Sequence, residues 1–284
     1  MTSATIAPRA PSSPDPVERV KALLAGFDVR GRLHLQHLGS SLLPGDGLLR
    51  QVIVTDARGD AYTASLDRQG RVVSILRQRG SGERAVFAPS IAGPFDRPID
   101  PSRRAAIEQR LRRWSAAAGT REPVRLAPLS VDRNGAVGHA YFAILRNGHP
   151  FVSHPRFGYD FTFAAATGAF LSFHAQENPP PVDPRPARLD KTGALAALRR
   201  IWDTDVAPQA LHQRGWRRVW YTLQDGQGTP ELGYYLPEGG RRAILVWKVR
   251  FWSYRDVGHA IQGGSDAMLI DAITGERVAT KTVP

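Results

Sequence analysis

Apolar and polar positions alternate in short runs along most of the chain, and three segments replace that rhythm with a helical spacing. Alternation with a period of two reads as a strand with one buried face, whereas apolar positions three and four apart read as an amphipathic helix. The helical segments are residues 16–24, 101–117 and 191–202, and each follows an aspartate: Asp15, Asp100 and Asp190. An aspartate there caps the free amides of the first turn. Pro16 and Pro101 suit the first helical position, where the missing N–H costs nothing. Ala105, Ile107, Leu111 and Trp114 form one apolar stripe, with arginines on the opposite face; Leu195, Leu198, Ile201 and Trp202 form another.

Strand candidates follow each helix, at 33–38 and 49–55, at 124–131 and 140–145, and at 218–223, 231–236 and 243–254. Each set closes on a strand, turn and strand: YTASLDRQGRVVSI from Tyr62, YDFTFAAATGAFLSF from Tyr159 and MLIDAITGERVAT from Met268. The turns end in Gly70, Gly168 and Gly275, placed where a positive φ is expected. One helix followed by an antiparallel meander, three times over, is an α+β architecture. The expected organisation is a flexible leader at 1–14, a divergent first unit at 15–91, a second at 92–182 and a third at 183–284. The second joint, NPPPVDPRP at 178–186, carries five prolines and favours a stiff, extended link.

Composition narrows the chemistry. The chain has 284 residues and no cysteine, which excludes disulfides, thiolate metal sites and cysteine nucleophiles. Its formal net charge is +12, a basic balance that attracts acidic polymers and other anions. The charge lies in scattered pairs such as Arg103-Arg104, Arg199-Arg200 and Arg241-Arg242, and the aromatic order matches no nucleic-acid motif. The opening MTSATIAPRAPSSPDP lacks a continuous apolar run and does not read as a signal peptide; no apolar window is long enough for a membrane-spanning helix.

The closing segments resemble the PepSY-like superfamily, and in particular its YcdB/YcdC type of repeated domain. LVWKVRF at 245–251 and AMLIDAITGERV at 267–278 are similar to that family's penultimate strand, D-x-x-T-G-E turn and closing strand. In the middle unit, FAILRNGHPF at 142–151 resembles the variant's strand, Arg-x-Gly-x-Pro turn and second aromatic, and 158–173 supplies the Thr-Gly hairpin. The first unit departs, with Arg-Gln-Gly in its turn. The resemblance implies tandem cystatin-like units, each a helix packed on a curved antiparallel sheet. It also implies a secreted or cell-envelope protein without catalysis, and some relatives lie in metallopeptidase propeptides, where they inhibit or assist folding.

Candidate chemistry is sparse. Asp271, Thr274, Gly275 and Glu276 would bind a cation, but the same residues serve a turn by accepting backbone amides, and that architectural role is the better fit. His34 and His37 point to opposite sides of a strand, which is poor for one metal. His149 and His154, with Asp160, offer a loop with weak ligand or hydrolase potential; HExxH, G-x-S-x-G and P-loop motifs are all absent. His139, His174, His212 and His259 are isolated. Gly39-Ser40-Ser41 has no base in view, GHAIQGGSD at 258–266 reads as a hairpin loop, and Asp203 and Asp205 read as exposed. No cofactor is implied.

Aromatics concentrate in the third unit: Trp216, Trp220, Tyr221, Tyr234, Tyr235, Trp247, Trp252 and Tyr254. Alternation commits half of them to a core. The other half, interleaved with cations, offers a face for a polypeptide or anionic polymer, with Arg217, Arg218, Tyr235, Lys248, Arg250, Trp252 and Tyr254 as its contact residues. The same aromatics would equally serve a seam covered from within. The sequence therefore supports a non-enzymatic binding or inhibitory module for a protein partner, with a His149/His154/Asp160 hydrolase or metal-binding protein, or a purely structural protein, as alternatives.

Overall fold

One device starts each of the three α-helices among the described residues. In the computed structural model Asp15 Oδ1 accepts the Val17 amide at 3.0 Å, Asp100 Oδ1 the Ser102 amide at 2.9 Å and Asp190 Oδ1 the Gly193 amide at 2.7 Å. These caps open α1 (Pro16–Gly26), α2 (Pro101–Ala117) and α3 (Lys191–Ile201). The structure describes residues 15–43, 47–78, 97–119, 122–132, 135–153, 157–206, 218–222, 229–256 and 261–282. The leader at 1–14, most of the first joint, His154, His212, Trp216, Arg217 and His259 lie outside them. No helix among the described residues is long and apolar enough to cross a membrane.

The chain divides into two compact units. The first comprises residues 1–120, 128–141 and 159–175; the second comprises 121–127, 142–158 and 176–284. The strands in chain order are β1 (His34–Leu43), β2 (Gly47–Thr55), β3 (Ala61–Leu66), β4 (Val72–Gln78), β5 (Arg97–Pro98), β6 (Val124–Leu126), β7 (Ser130–Val131), β8 (Val137–Arg146), β9 (His149–Pro150), β10 (Gly158–Ala164), β11 (Phe170–Gln176), β12 (Arg218–Thr222), β13 (Glu231–Tyr235), β14 (Ile244–Asp256), β15 (Ile261–Asp271) and β16 (Arg277–Thr282). Helices packed against antiparallel sheets make the fold α+β.

In the first unit the strand order is β1-β2-β3-β4-β11-β10-β8-β7-β5. Two meanders share this sheet because β4 pairs antiparallel with β11, Ile75 opposite Phe173. Alternate residues of β2 and β3, Val52, Val54, Tyr62, Ala64 and Leu66, are buried. The core is aromatic: the Phe27 ring packs on Trp114, Phe161, Phe170 and Phe173, with centroids 4.9–6.1 Å apart. The helices α1 and α2 meet at Gly26, where an added Cβ would stand 2.5 Å from the Ala117 Cβ.

In the second unit the order is β12-β14-β15-β16, with β13 also on β14. β6 and β9 pair with residues 142–146 of β8. Ala194, Ala197, Leu198 and Ile201 of α3 are buried, and Trp202 meets Phe251 edge-on at 5.0 Å. Tyr235, Val246 and Leu269 form a further cluster with Val152. The proline-rich segment is extended and paired: the Asp183 amide donates to Ala243 O at 2.8 Å. GHAIQGGSD differs from its reading as a loop. From Ile261 onward it is strand, with Gly263 opposite Tyr254 and Gly264 opposite Ser253, because pairing with the long β14 overrides the weak strand preference of glycine.

A second device fastens each helix to a hairpin. Arg19 of α1 donates to Gly70 O, Arg110 of α2 to Gly168 O at 2.8 Å, and Arg200 of α3 to Gly275 O at 3.1 Å. Gly70, Gly168 and Gly275 have φ of +73°, +67° and +76°. At Gly168 an added Cβ would also lie 2.4 Å from the Arg110 guanidinium, so the fastening needs the bare backbone. Within the last turn Asp271 Oδ1 accepts the Ile273 and Thr274 amides at 2.7 and 2.9 Å, and Thr274 Oγ1 accepts the Glu276 amide at 3.3 Å.

Arg200→Met should lower stability by about 1–2 kcal/mol, the cost of orphaning a charge-assisted bond to a partly buried carbonyl; chemical denaturation of the variant beside the native chain measures it. A pH effect follows from two aspartates. The Arg185 side chain and amide hold the Asp183 carboxyl below the usual carboxylate range. Burial opposes ionisation of Asp67, but the Arg71 amide and guanidinium and the Gln69 amide outweigh it and hold that carboxyl low as well. Their stabilisation is complete above the unfolded value of about 3.9 and is lost as pH falls through the lower folded values. The melting temperature should therefore drop as pH falls below about 4, and the drop should shrink in Asp183→Asn.

Candidate functional site

The residues expected to form a partner face fall into different environments. Tyr235 and Lys248 are both 8% exposed and belong to the interior of the second unit. Register explains their company: Glu231 lies opposite Lys248 and Tyr235 opposite Ile244, on the sheet side that also carries Val246. This side is covered by the segment around Val152, whose carbonyl accepts from Lys248 Nζ at 3.0 Å. Tyr234, on the other side, is also buried. Arg250 is exposed. The backbones of Arg218, Trp252 and Tyr254 are placed in β12 and β14, with Trp252 opposite Thr222 and Tyr254 opposite Trp220; Arg217 is outside the described residues.

Of the histidine loop, His154 lies outside the described residues. His149 belongs to the second unit and Asp160 to the first. Burial, and then the Arg125 charge, hold the His149 imidazole below its ordinary range. No group of three or more histidine, aspartate or glutamate side chains among the described residues is placed to hold a metal ion. His34 and His37 are exposed on β1, whose register shifts between Leu35 and His37. Asp203 and Asp205 are exposed.

A cleft that sequence reasoning missed lies wholly within the first unit. It has a volume of about 360 Å³. Its floor is aromatic, made by Phe27, Tyr62, Trp114 and Phe170, all of them buried. Its walls carry five arginines, Arg30, Arg58, Arg77, Arg110 and Arg113, and three aspartates, Asp28, Asp56 and Asp60. These come from the end of α1, the β2–β3 turn, β4, and α2; the hairpin at 167–170 closes the rim.

The charges are unequally engaged. Arg77 is paired with Asp60, its Nε at 3.1 Å from Oδ2. Arg110 is held by Thr167 O and Gly168 O at 3.1 and 2.8 Å. Asp28 follows the helix at φ +62° and accepts from Trp114 Nε1 at 3.1 Å; Arg113 and Arg110 stand 3.5 and 3.7 Å from the same oxygen. Asp56 Oδ1 takes the amides of Arg58 and Asp60 at 2.9 and 3.0 Å. Arg30 and Arg58 are exposed, and their guanidinium groups make no ion pair or hydrogen bond among the described residues. Burial pushes the Tyr62 phenol up to about 12, so it stays protonated. Among the described residues the cleft places no nucleophile beside a base. One sequence signal was available, the Asp-Ala-Arg-Gly-Asp turn at 56–60, but nothing local joins it to residues 28–30 or 110–114.

No protein-family model and no curated protein matches the sequence. Among solved structures, the Bacillus megaterium YpeB C-terminal domain has the same fold, with a TM-score of 0.52 and 11% sequence identity over 94% of this chain and 96% of that one. That broad likeness is one of fold. Lys248→Met should retain the packing of the stem but lose the ammonium bond to Val152 O, lowering stability by about 1–3 kcal/mol; a thermal melt of the variant checks it.

Proposed function

We propose that the chain is a non-enzymatic binding or inhibitory module that engages a protein or peptide partner, extracellularly or at the cell envelope. The observation that carries this reading is the cleft of the first unit. It combines an apolar floor with guanidinium groups that have no partner among the described residues, a combination suited to recognition. The likeness in fold to the YpeB C-terminal domain and the resemblance of 142–173 and 245–278 to PepSY-like sequences support the same class and the envelope location. A second contact is proposed at the exposed Arg250, with Arg217, Arg218, Trp252 and Tyr254; Tyr235 and Lys248 would support that face from inside. The three helix–meander segments, 15–91, 92–182 and 183–284, are read as repeats of one unit, since each has the aspartate cap and the arginine-to-glycine fastening.

The test is affinity capture from an envelope extract, followed by purification of the captured protein and measurement of its Kd. The native chain should bind it in the micromolar range or better. Arg30→Glu/Arg58→Glu or Arg250→Glu should weaken binding about tenfold or more if its site is the contact. Hydrolysis of a peptide library by the native chain, abolished in His149→Ala, would replace this reading with the hydrolase one.

A further inference from the structure

The cleft has a charge pattern that selects among anions. Its five arginines and three aspartates leave it two positive charges in excess. The resident acids are not spread evenly over the cations. Asp60 is spent on Arg77, and Asp28 on Trp114 and the α2 arginines, while Asp56 accepts main-chain amides, which leaves the guanidinium groups of Arg30 and Arg58 exposed without an ion pair among the described residues. The floor beneath them is low in dielectric, which strengthens any ion pair formed against it.

We infer that this cleft binds the carboxylates of an acidic polypeptide segment, held by Arg30, Arg58 and Arg113, and that Asp28 is an internal competitor for Arg113. The inference rests on the reading of the chain as a binding module and names the ligand of that site. One feature favours carboxylate over phosphate. The main-chain amides of Arg58 and Asp60, which would cradle a phosphate, are already taken by Asp56. Asp28 itself shows the mode of binding: one carboxylate oxygen receives the Trp114 indole at 3.1 Å with two guanidinium groups within 3.7 Å. An incoming glutamate or aspartate side chain would meet the same type of donor one step outward, at the uncommitted pair.

The test uses the full chain and a fluorescein-labelled hexaglutamate peptide, read by anisotropy at low and physiological salt. Arg30→Glu/Arg58→Glu should weaken binding by about tenfold or more. Arg241→Glu/Arg242→Glu, an equal change of charge at exposed positions of the second unit, should weaken it by less than about threefold. Asp28→Asn keeps an acceptor for the indole and tolerates the positive φ, and should tighten binding by about three- to tenfold. Inorganic phosphate should displace the peptide only at far higher concentration than the peptide's own carboxylates require. Equal losses in the two double variants would overturn the inference, since the effect would then be diffuse charge. So would displacement by phosphate at matched concentration, an unchanged affinity in Asp28→Asn, or no binding by the native chain. A captured protein partner that survives those negative results would leave the binding-module reading standing and remove only its acidic ligand. Peptide binding without any protein partner would do the reverse.

Discussion

The bond from a helix arginine to the carbonyl of a turn glycine organises this protein more than any other single contact. It occurs three times, from Arg19, Arg110 and Arg200 to Gly70, Gly168 and Gly275. Its geometry explains two choices at once. The turn residue must accept a positive φ, and it must leave its carbonyl open to a bulky planar donor; glycine meets both demands. In α2 and α3 the arginine stands ten residues beyond the capping aspartate, whereas in α1 it stands four beyond. The helices are thus clamped at a fixed axial position over their sheets, and the apolar stripes are brought into register with strands fifty or more residues away.

Arg110 links this architecture to the cleft. Its guanidinium is committed to the hairpin carbonyls while its Nε faces Asp28, so the fastening of α2 also fixes one wall of the charged pocket. The neighbouring Trp114 does likewise, with its ring in the aromatic core and its indole N–H on Asp28. Fold and candidate site therefore share residues: the side chains that determine where the helix rests also determine where charge is left over.

Much of the fold was legible because it is local. A capping aspartate, a stripe three and four apart, and an alternating hairpin closed by glycine each depend on residues close in sequence, and the observed helices start at those aspartates. Strand partnership was not legible. Alternation tells which face of β4 or β11 is buried but not that the two pair, since that choice is made by main-chain edges that carry no side-chain signature. The interior places of Tyr235 and Lys248 escaped for a related reason. A lysine in a strand looks solvent-facing until a distant carbonyl, here Val152 O, is brought to it. The cleft combines residues 28–30, 56–60, 77 and 110–114, none of which forms a motif alone.

The seam between β4 and β11 also settles what happens to the vulnerable margins of a sheet. Two separate meanders would present four free edges; once merged, the path of neighbouring strands ends at β1 and β5, with β6 and β9 branching from β8. β5 is two residues long and one of them is Pro98, which has no N–H to offer a neighbour. β1 is longer, and its pairing with β2 is interrupted between Leu35 and His37, which disturbs the flat template that an intruding strand would copy. Fusion of the sheets is thereby a form of protection against self-association, achieved by hiding two edges in each other and blunting the two at the ends of that path.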